Sequence, residues 1–286
     1  MTLKMIIGFS TYFSKMNSIS SYILDYVCKI DGHIHMFDKN EILTDLYKPL
    51  KNTYVCFGDY SIRHIEDYDG KMCDYYDNFI KNHHNSNHIL LACAPTIEET
   101  IKIYESHEDV IRGFGEIKIH KIYEGRTDCN PLNINDLRRL CKYSSIHNNL
   151  PIYIHYTLSN EHYIKNLKNT LSKYPKVPIV LCHCGMEGGC NLDNIFYSIT
   201  KLQKDHSNLW VDVSYEALKY FWNNPLKLSN LCLDRCILGS DLNPQIFHSK
   251  NIKDPKKFCD NYYIVCEKMK EYIIGNDNNI NRLFKL

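Results

Sequence analysis

The sequence predicts an α/β fold, a (β/α)8 TIM-type barrel with an N-terminal helical extension. Eight short apolar runs have strand character, and stretches of helical period lie between several of them. Side chains able to do chemistry sit at the ends of five of these runs. A length of 286 residues suits such a barrel, whose usual size is about 250 residues, and leaves a surplus for extensions.

The runs lie at 27–33, 53–57, 88–94, 110–119, 151–156, 178–183, 209–213 and 235–238. Helical periodicity fills 97–108, 135–147, 160–174 and 192–204. Helix starts are marked by Thr96 with Glu99 three residues on, by Pro131 and Asn133, and by Ser159. Residues 1–30 read as an accessory helical segment, and 254–274 as a helix followed by a tail to Leu286. Residues 81–87 are polar and read as a loop. No repeat, Pro-rich linker or low-complexity block divides the chain, so 1–286 reads as one domain. A doubly wound open sheet ranks second, because it gathers its ligand groups at a single crevice.

The 34 Lys and Arg residues are balanced by 33 Asp and Glu, giving a net charge of +1. A nucleic-acid binder usually carries a basic face, so the expected partner is a small molecule. No apolar run reaches the roughly 18 residues that would suggest a membrane span, and no secretory layout follows Lys4. Thirteen scattered cysteines, an odd number without any C-x-x-C pair, read as reduced thiols. A cytoplasmic location is the expectation, and the oligomeric state is left open.

The first run leads into Asp31-Gly32-His33-Ile34-His35, where period-two geometry sends His33 and His35 to one side. Imidazole is the commonest metal ligand, and two at a barrel mouth can hold a divalent ion. In the fourth run, Ile111, Ile117 and Ile119 share one face, while Glu116, Lys118 and His120 share the other. Inward charges need partners or a metal, since isolated charges are too costly to bury. Glu116 could bridge two ions. Lys118 could pair with Glu116, bind an anionic substrate or be carbamylated.

The fifth run ends at His155, with Ile152 and Ile154 facing the helices. In the sixth, alternation sends His183 inward and sends Cys182 and Cys184 to the helical layer as packing thiols. The eighth leads into Gly239-Ser240-Asp241, where parity turns Asp241 inward. Singly, each histidine reads as structural. Jointly, four histidines and one or two carboxylates at separate strand ends suit zinc, with manganese or magnesium as alternatives and one ion or two.

This ordered set resembles the amidohydrolase superfamily of metal-dependent barrels. Its signature is H-x-H on strand one, Glu or Lys on strand four, His on strands five and six, and Asp on strand eight. The closing Asn279-Ile280-Asn281-Arg282-Leu283-Phe284 is similar to the N-A-x-R-L-F helix of those proteins. Gly239-Ser240-Asp241 and Cys182-His183-Cys184-Gly185 look like the amidohydrolase-related, or type 2, branch of lactonases, decarboxylases and related hydrolases. Gly115-Glu116-Ile117 also looks like TatD-type deoxyribonucleases, but the H-C-F-S-G and E-T-D-x-P segments of that family are missing here.

The resemblance implies a hydrolase in which His33, His35 and Asp241 hold a primary ion. Glu116 then bridges to a second ion on His155 and His183. With a single ion, His155 joins the first set and His183 orients water or substrate. Asp241 and His183 are the expected catalytic groups, and Lys118 and Arg126 the expected substrate contacts. A deoxyribonuclease, a non-oxidative decarboxylase and a non-catalytic metal-binding scaffold are the alternatives.

Overall fold

The computed structural model describes residues 30–36, 53–58, 72–83, 88–119, 132–187, 190–239, 241 and 276–285. The accessory segment up to residue 29, the helix expected at 254–274 and Arg126 lie outside the described residues.

Eight parallel strands form one sheet in chain order: β1 (Ile30–Met36), β2 (Thr53–Gly58), β3 (His88–Ala92), β4 (Ile111–Lys118), β5 (Ile152–His155), β6 (Ile179–Leu181), β7 (Leu209–Val213) and β8 (Cys236–Leu238). Helices α1 (Met72–His83), α2 (Ile97–Ser106), α3 (Ile134–Ile146), α4 (Glu161–Lys173), α5 (Leu192–Asp205) and α6 (Tyr215–Asn223) fall between strands, and α7 (Asn276–Phe284) follows β8. Every neighbouring pair is parallel, as βα units require. The sheet curls until β8 returns to β1, where the Asp241 N–H donates to the His33 carbonyl at 2.8 Å. This is the predicted barrel.

Capping explains where the helices begin. Thr96 Oγ1 accepts the Glu99 N–H at 3.2 Å, and Asn133 and Asp136 form a reciprocal capping box. The cap of α4 is Asn160, whose Oδ1 accepts from the Tyr163 N–H at 3.0 Å, rather than the expected Ser159. An amide one residue later meets that donor, so the helix starts one residue later. The polar stretch expected as a loop from Lys81 is helical as far as His83. Tyr75, Tyr76, Phe79 and Ile80 bury one face of α1, and that apolar stripe carries the helix into the polar residues.

Strand alternation divides the core in two. Ile152, Ile154, Ile179, Leu181, Val211 and Val213 face outward against helix residues such as Leu140, Leu167, Ile199 and Phe221. Ile89, Leu91, Tyr153, Val180, Trp210 and Ile237 face inward and meet Ile280, Leu283 and Phe284 of α7. Asn279 anchors that helix by donating to the carbonyls of Leu233 and Cys236, both at 2.8 Å. Each of these α7 side chains contributes about 1.5–3 kcal/mol by burial. Among the described residues, the side chains that α7 packs against are mainly apolar, and the inward charged residues lie toward the opposite ends of the strands.

The seam between β8 and β1 depends on a missing side chain. A Cβ on Gly239 would stand 2.5 Å from His33 Cβ and 2.8 Å from the His33 nitrogen. Gly239→Ala is expected to destabilise the protein by about 1–3 kcal/mol through overpacking. The check is the urea midpoint at constant slope, and an unchanged midpoint would show that the seam is looser than described.

Candidate metal centre

The inward residues at the C-terminal ends of the strands are polar and buried. His33 of β1 is fully enclosed, with Nδ1 donating to Asp212 Oδ2 at 2.5 Å and Nε2 lying 3.2 Å from Asp241 Oδ1. Burial opposes charge on this ring, but the Asp212 and Asp241 carboxylates outweigh it and raise its pKa to about 10.

Glu116 reaches the same space because the β4 register shifts between Phe114 and Ile117. Both of those residues pack outward, and Gly115 between them adopts a φ of +148°, open to glycine but rarely to other residues. The Glu116 carboxylate Oε1 lies 3.0 Å from His155 Nδ1 and 3.2 Å from His183 Nε2. Burial works to raise its pKa, yet His155 and His183 together hold it well below the usual carboxylate range.

His183 arrives by a different route from the one expected. β6 ends at Leu181, and Cys182–Gly185 form a tight 3-10 turn in which His183 and Cys184 both have φ of +53°. Non-glycine residues rarely take that conformation, and it requires a surrounding structure that holds it. Cys182 therefore continues the inward parity of Val180 and sits in the inner cluster, which corrects its expected place in the helical layer. Cys184 does pack outward, as expected. The turn, not strand alternation, brings His183 in.

Asp212 and Ser214 complete the arrangement, and the sequence reading missed both. Ser214 Oγ donates to Asp212 Oδ2 at 2.8 Å and lies 2.9 Å from His183 Nδ1. Having given its proton to Asp212, the hydroxyl accepts from His183 Nδ1–H. A single carboxylate thus orients His33 directly and His183 through one hydroxyl. The signal was present in Leu209-Trp210-Val211-Asp212-Val213, where alternation turns a carboxylate inward in an otherwise apolar strand.

Asp241 follows β8 with φ of +54°, and its Oδ2 is 3.6 Å from His183 Nδ1. The His33 and His183 rings stack with centroids 5.1 Å apart, and His155 meets His183 edge-on at 5.2 Å. His33, Glu116, His155, His183 and Asp241 are therefore gathered at one end of the barrel. Lys118 is half-buried at the end of β4, opposite His155 in the register. The side chain of His35 lies outside the described residues, although its backbone pairs with Phe57 in the β1–β2 ladder.

Ligand-capable atoms of His33, Glu116 and His183 lie within 4.8 Å of one another. Nitrogen and oxygen donors of this kind fit zinc or a similar divalent ion. The buried Asp212 Oδ1 has no hydrogen-bond partner among the described residues.

No family model matches the chain, and no curated protein matches it in sequence. Solved structures do match in fold. An amidohydrolase from Burkholderia multivorans aligns with a TM-score of 0.56 at 12% identity, over 90% of this chain and 99% of that one. A second structure of an amidohydrolase from that organism, with bound zinc, aligns at 0.54 and 11% over the same shares. Dihydroorotase from Campylobacter jejuni aligns at 0.51 and 14%, over 90% of this chain and 83% of that one. At these identities the likeness establishes the fold, a (β/α)8 barrel of the kind those enzymes use.

The charge network sets a pH window for the metal-free protein. Glu116 is held below its ordinary value of 4.5, so its contribution is present above that pH and is lost as pH falls through its lowered folded value. His33 is raised from 6.5 to about 10, so its contribution is full below 6.5 and is lost as pH rises through about 10. Chelator-treated protein should therefore be most stable between 4.5 and 6.5 and should weaken toward pH 10. Denaturant midpoints across pH test this, and a midpoint that climbs from pH 6.5 to 10 would contradict it.

Proposed function

We propose that the chain is a metal-dependent hydrolase of the amidohydrolase type, which cleaves an ester, lactone or amide bond in a small substrate. The observation that carries this reading is the meeting of His33, Glu116, His155, His183 and Asp241 from five separate strand ends. That end of the barrel is where (β/α)8 enzymes keep their active sites. The zinc in a structure of similar fold supports the choice of metal.

In this reading His33, His35 and Asp241 hold the primary ion. Glu116, with His155 and His183, would hold a second ion; with one ion, His155 would join the primary set. A bound divalent ion supplies Lewis acidity toward the scissile carbonyl and brings the pKa of a coordinated water to about 7.

The remaining work falls to the protein. The Asp241 carboxylate accepts the proton of the attacking water and returns it to the leaving group. Its Oδ2 faces His183 Nδ1 and its Oδ1 faces His33 Nε2, so both oxygens are positioned by imidazoles. Ser214 and Asp212 keep the two rings from turning. Lys118, at the rim beside His155, and Arg126 contact an anionic part of the substrate. The cell interior is the proposed location, since buried thiols such as Cys141 and Cys184 are unpaired.

Replacing Asp241 by Asn removes the proton acceptor while keeping the shape. Expected is a fall in kcat/KM of about 100- to 10,000-fold with fold retained, measured on the best substrate from an ester, lactone and amide panel. Undiminished turnover would remove Asp241 from the chemistry. In the double variant His33→Ala, His35→Ala the primary ion should be lost by elemental analysis, and full occupancy would contradict the ligand assignment.

A further inference from the structure

Below the five converging residues lies a second set of donors with different chemistry. An imidazole nitrogen of His33, the thiol of Cys182 and a carboxylate oxygen of Asp212 all lie within 4.8 Å of one another. All three residues are essentially closed to solvent, with Cys182 at 1% exposure and the other two at 0%. Each comes from a different part of the barrel wall, β1, the turn after β6, and β7.

We propose that His33, Cys182 and Asp212 form a site for a thiophilic divalent ion, such as zinc, cadmium or cobalt, which shares His33 with the proposed hydrolytic centre. A tetrahedral ion with bonds of about 2.0–2.3 Å wants donors roughly 3.4–3.8 Å apart, so an ion here parts the 2.5 Å contact between His33 Nδ1 and Asp212 Oδ2 and draws the Cys182 sulfur in. Sulfur beside nitrogen and oxygen selects zinc, cadmium and cobalt over magnesium or calcium.

Two further observations point to a ligand. Asp212 uses Oδ2 for both His33 and Ser214, while its buried Oδ1 has no hydrogen-bond partner among the described residues. A buried carboxylate oxygen left in that state costs about 1–3 kcal/mol or more, and an ion removes the deficit. The same oxygen faces Gly239, where a Cβ would stand only 3.0 Å away, so this position tolerates no side chain.

Second, Cys182 faces inward in the same phase as Val180, directly before the strained turn that delivers His183. A coordinated ion would take this sulfur as the thiolate.

His33 is common to both sets, so the two sites compete for it. A soft ion on Cys182 and Asp212 takes His33 through Nδ1, the nitrogen beside Asp212, and leaves the ring proton on Nε2 facing Asp241. Magnesium, which sulfur does not hold, leaves the upper set intact. The centre would thus distinguish ions by which donors they engage. This inference rests on the proposed metal centre only through His33, and it holds for a barrel without hydrolytic activity.

The test is titration of chelator-stripped full-length protein with cobalt(II) and, separately, cadmium(II), following the sulfur-to-metal charge-transfer absorption in the ultraviolet. A band saturating at one equivalent is expected in the native protein and in Cys184→Ser, whose thiol packs in the outer layer. It should vanish in Cys182→Ser and weaken at least tenfold in apparent affinity in Asp212→Asn. Absence of the band in the native protein, or its persistence in Cys182→Ser, overturns the inference. Because the native titration alone can refute it, a poorly folded variant does not shield it. Turnover lost in Asp241→Asn together with no band would leave the hydrolase reading standing and remove only this site.

Discussion

Among the described residues, three carboxylates and three imidazoles share the polar end of this barrel, and each is tolerable there only because the others are present. Glu116, Asp212 and Asp241 are set against His33, His155 and His183, most of them nearly or wholly buried. An isolated carboxylate in such a place would be driven neutral. Here the opposing imidazoles hold Glu116 ionised, and the carboxylates hold His33 protonated. A barrel built for stability alone would fill this layer with aliphatic side chains, as it does at the end closed by α7. Keeping charge in the layer is intelligible if a cation takes over from the protons.

The backbone departs from regular geometry where the cluster needs it to. The register shift in β4 lets both Phe114 and Ile117 pack outward while Glu116 stays inward between them. The left-handed residues after β6 swing His183 to the axis, and the left-handed Asp241 folds back over His33 through its own N–H. Gly239 lets β8 come close enough for that bond. Strain of this kind persists only where surrounding contacts over-determine it, and it gathers at functional sites.

Much of this was legible in the sequence, and the limits are instructive. Alternation placed Glu116 and His155 correctly, since β5 is a regular strand and the β4 shift preserves the inward sense of Glu116. It failed at Cys182, because the phase was set from His183, which the turn after Leu181 brings inward, while Cys182 keeps the inward phase of Val180. No glycine precedes His183 to announce the left-handed turn; only Gly185 behind it does. Asp212 and Ser214 carry no histidine signal of their own, and their contacts orient His33 and His183. The same bias toward composition cut α1 short at its polar end, where buried aromatic residues in fact sustain the helix.

The central claim is that these side chains exist to hold a divalent cation. Diffraction from crystals of the full chain grown with zinc, recorded on both sides of the zinc absorption edge, tests it directly. An anomalous peak is expected within coordination distance of His33, beside an oxygen of Asp241 or of Asp212. Crystals with that position empty, and with the Asp212–His33–Asp241 chain of hydrogen bonds closed on itself in excess zinc, would show a buried ion-pair network that serves the fold alone.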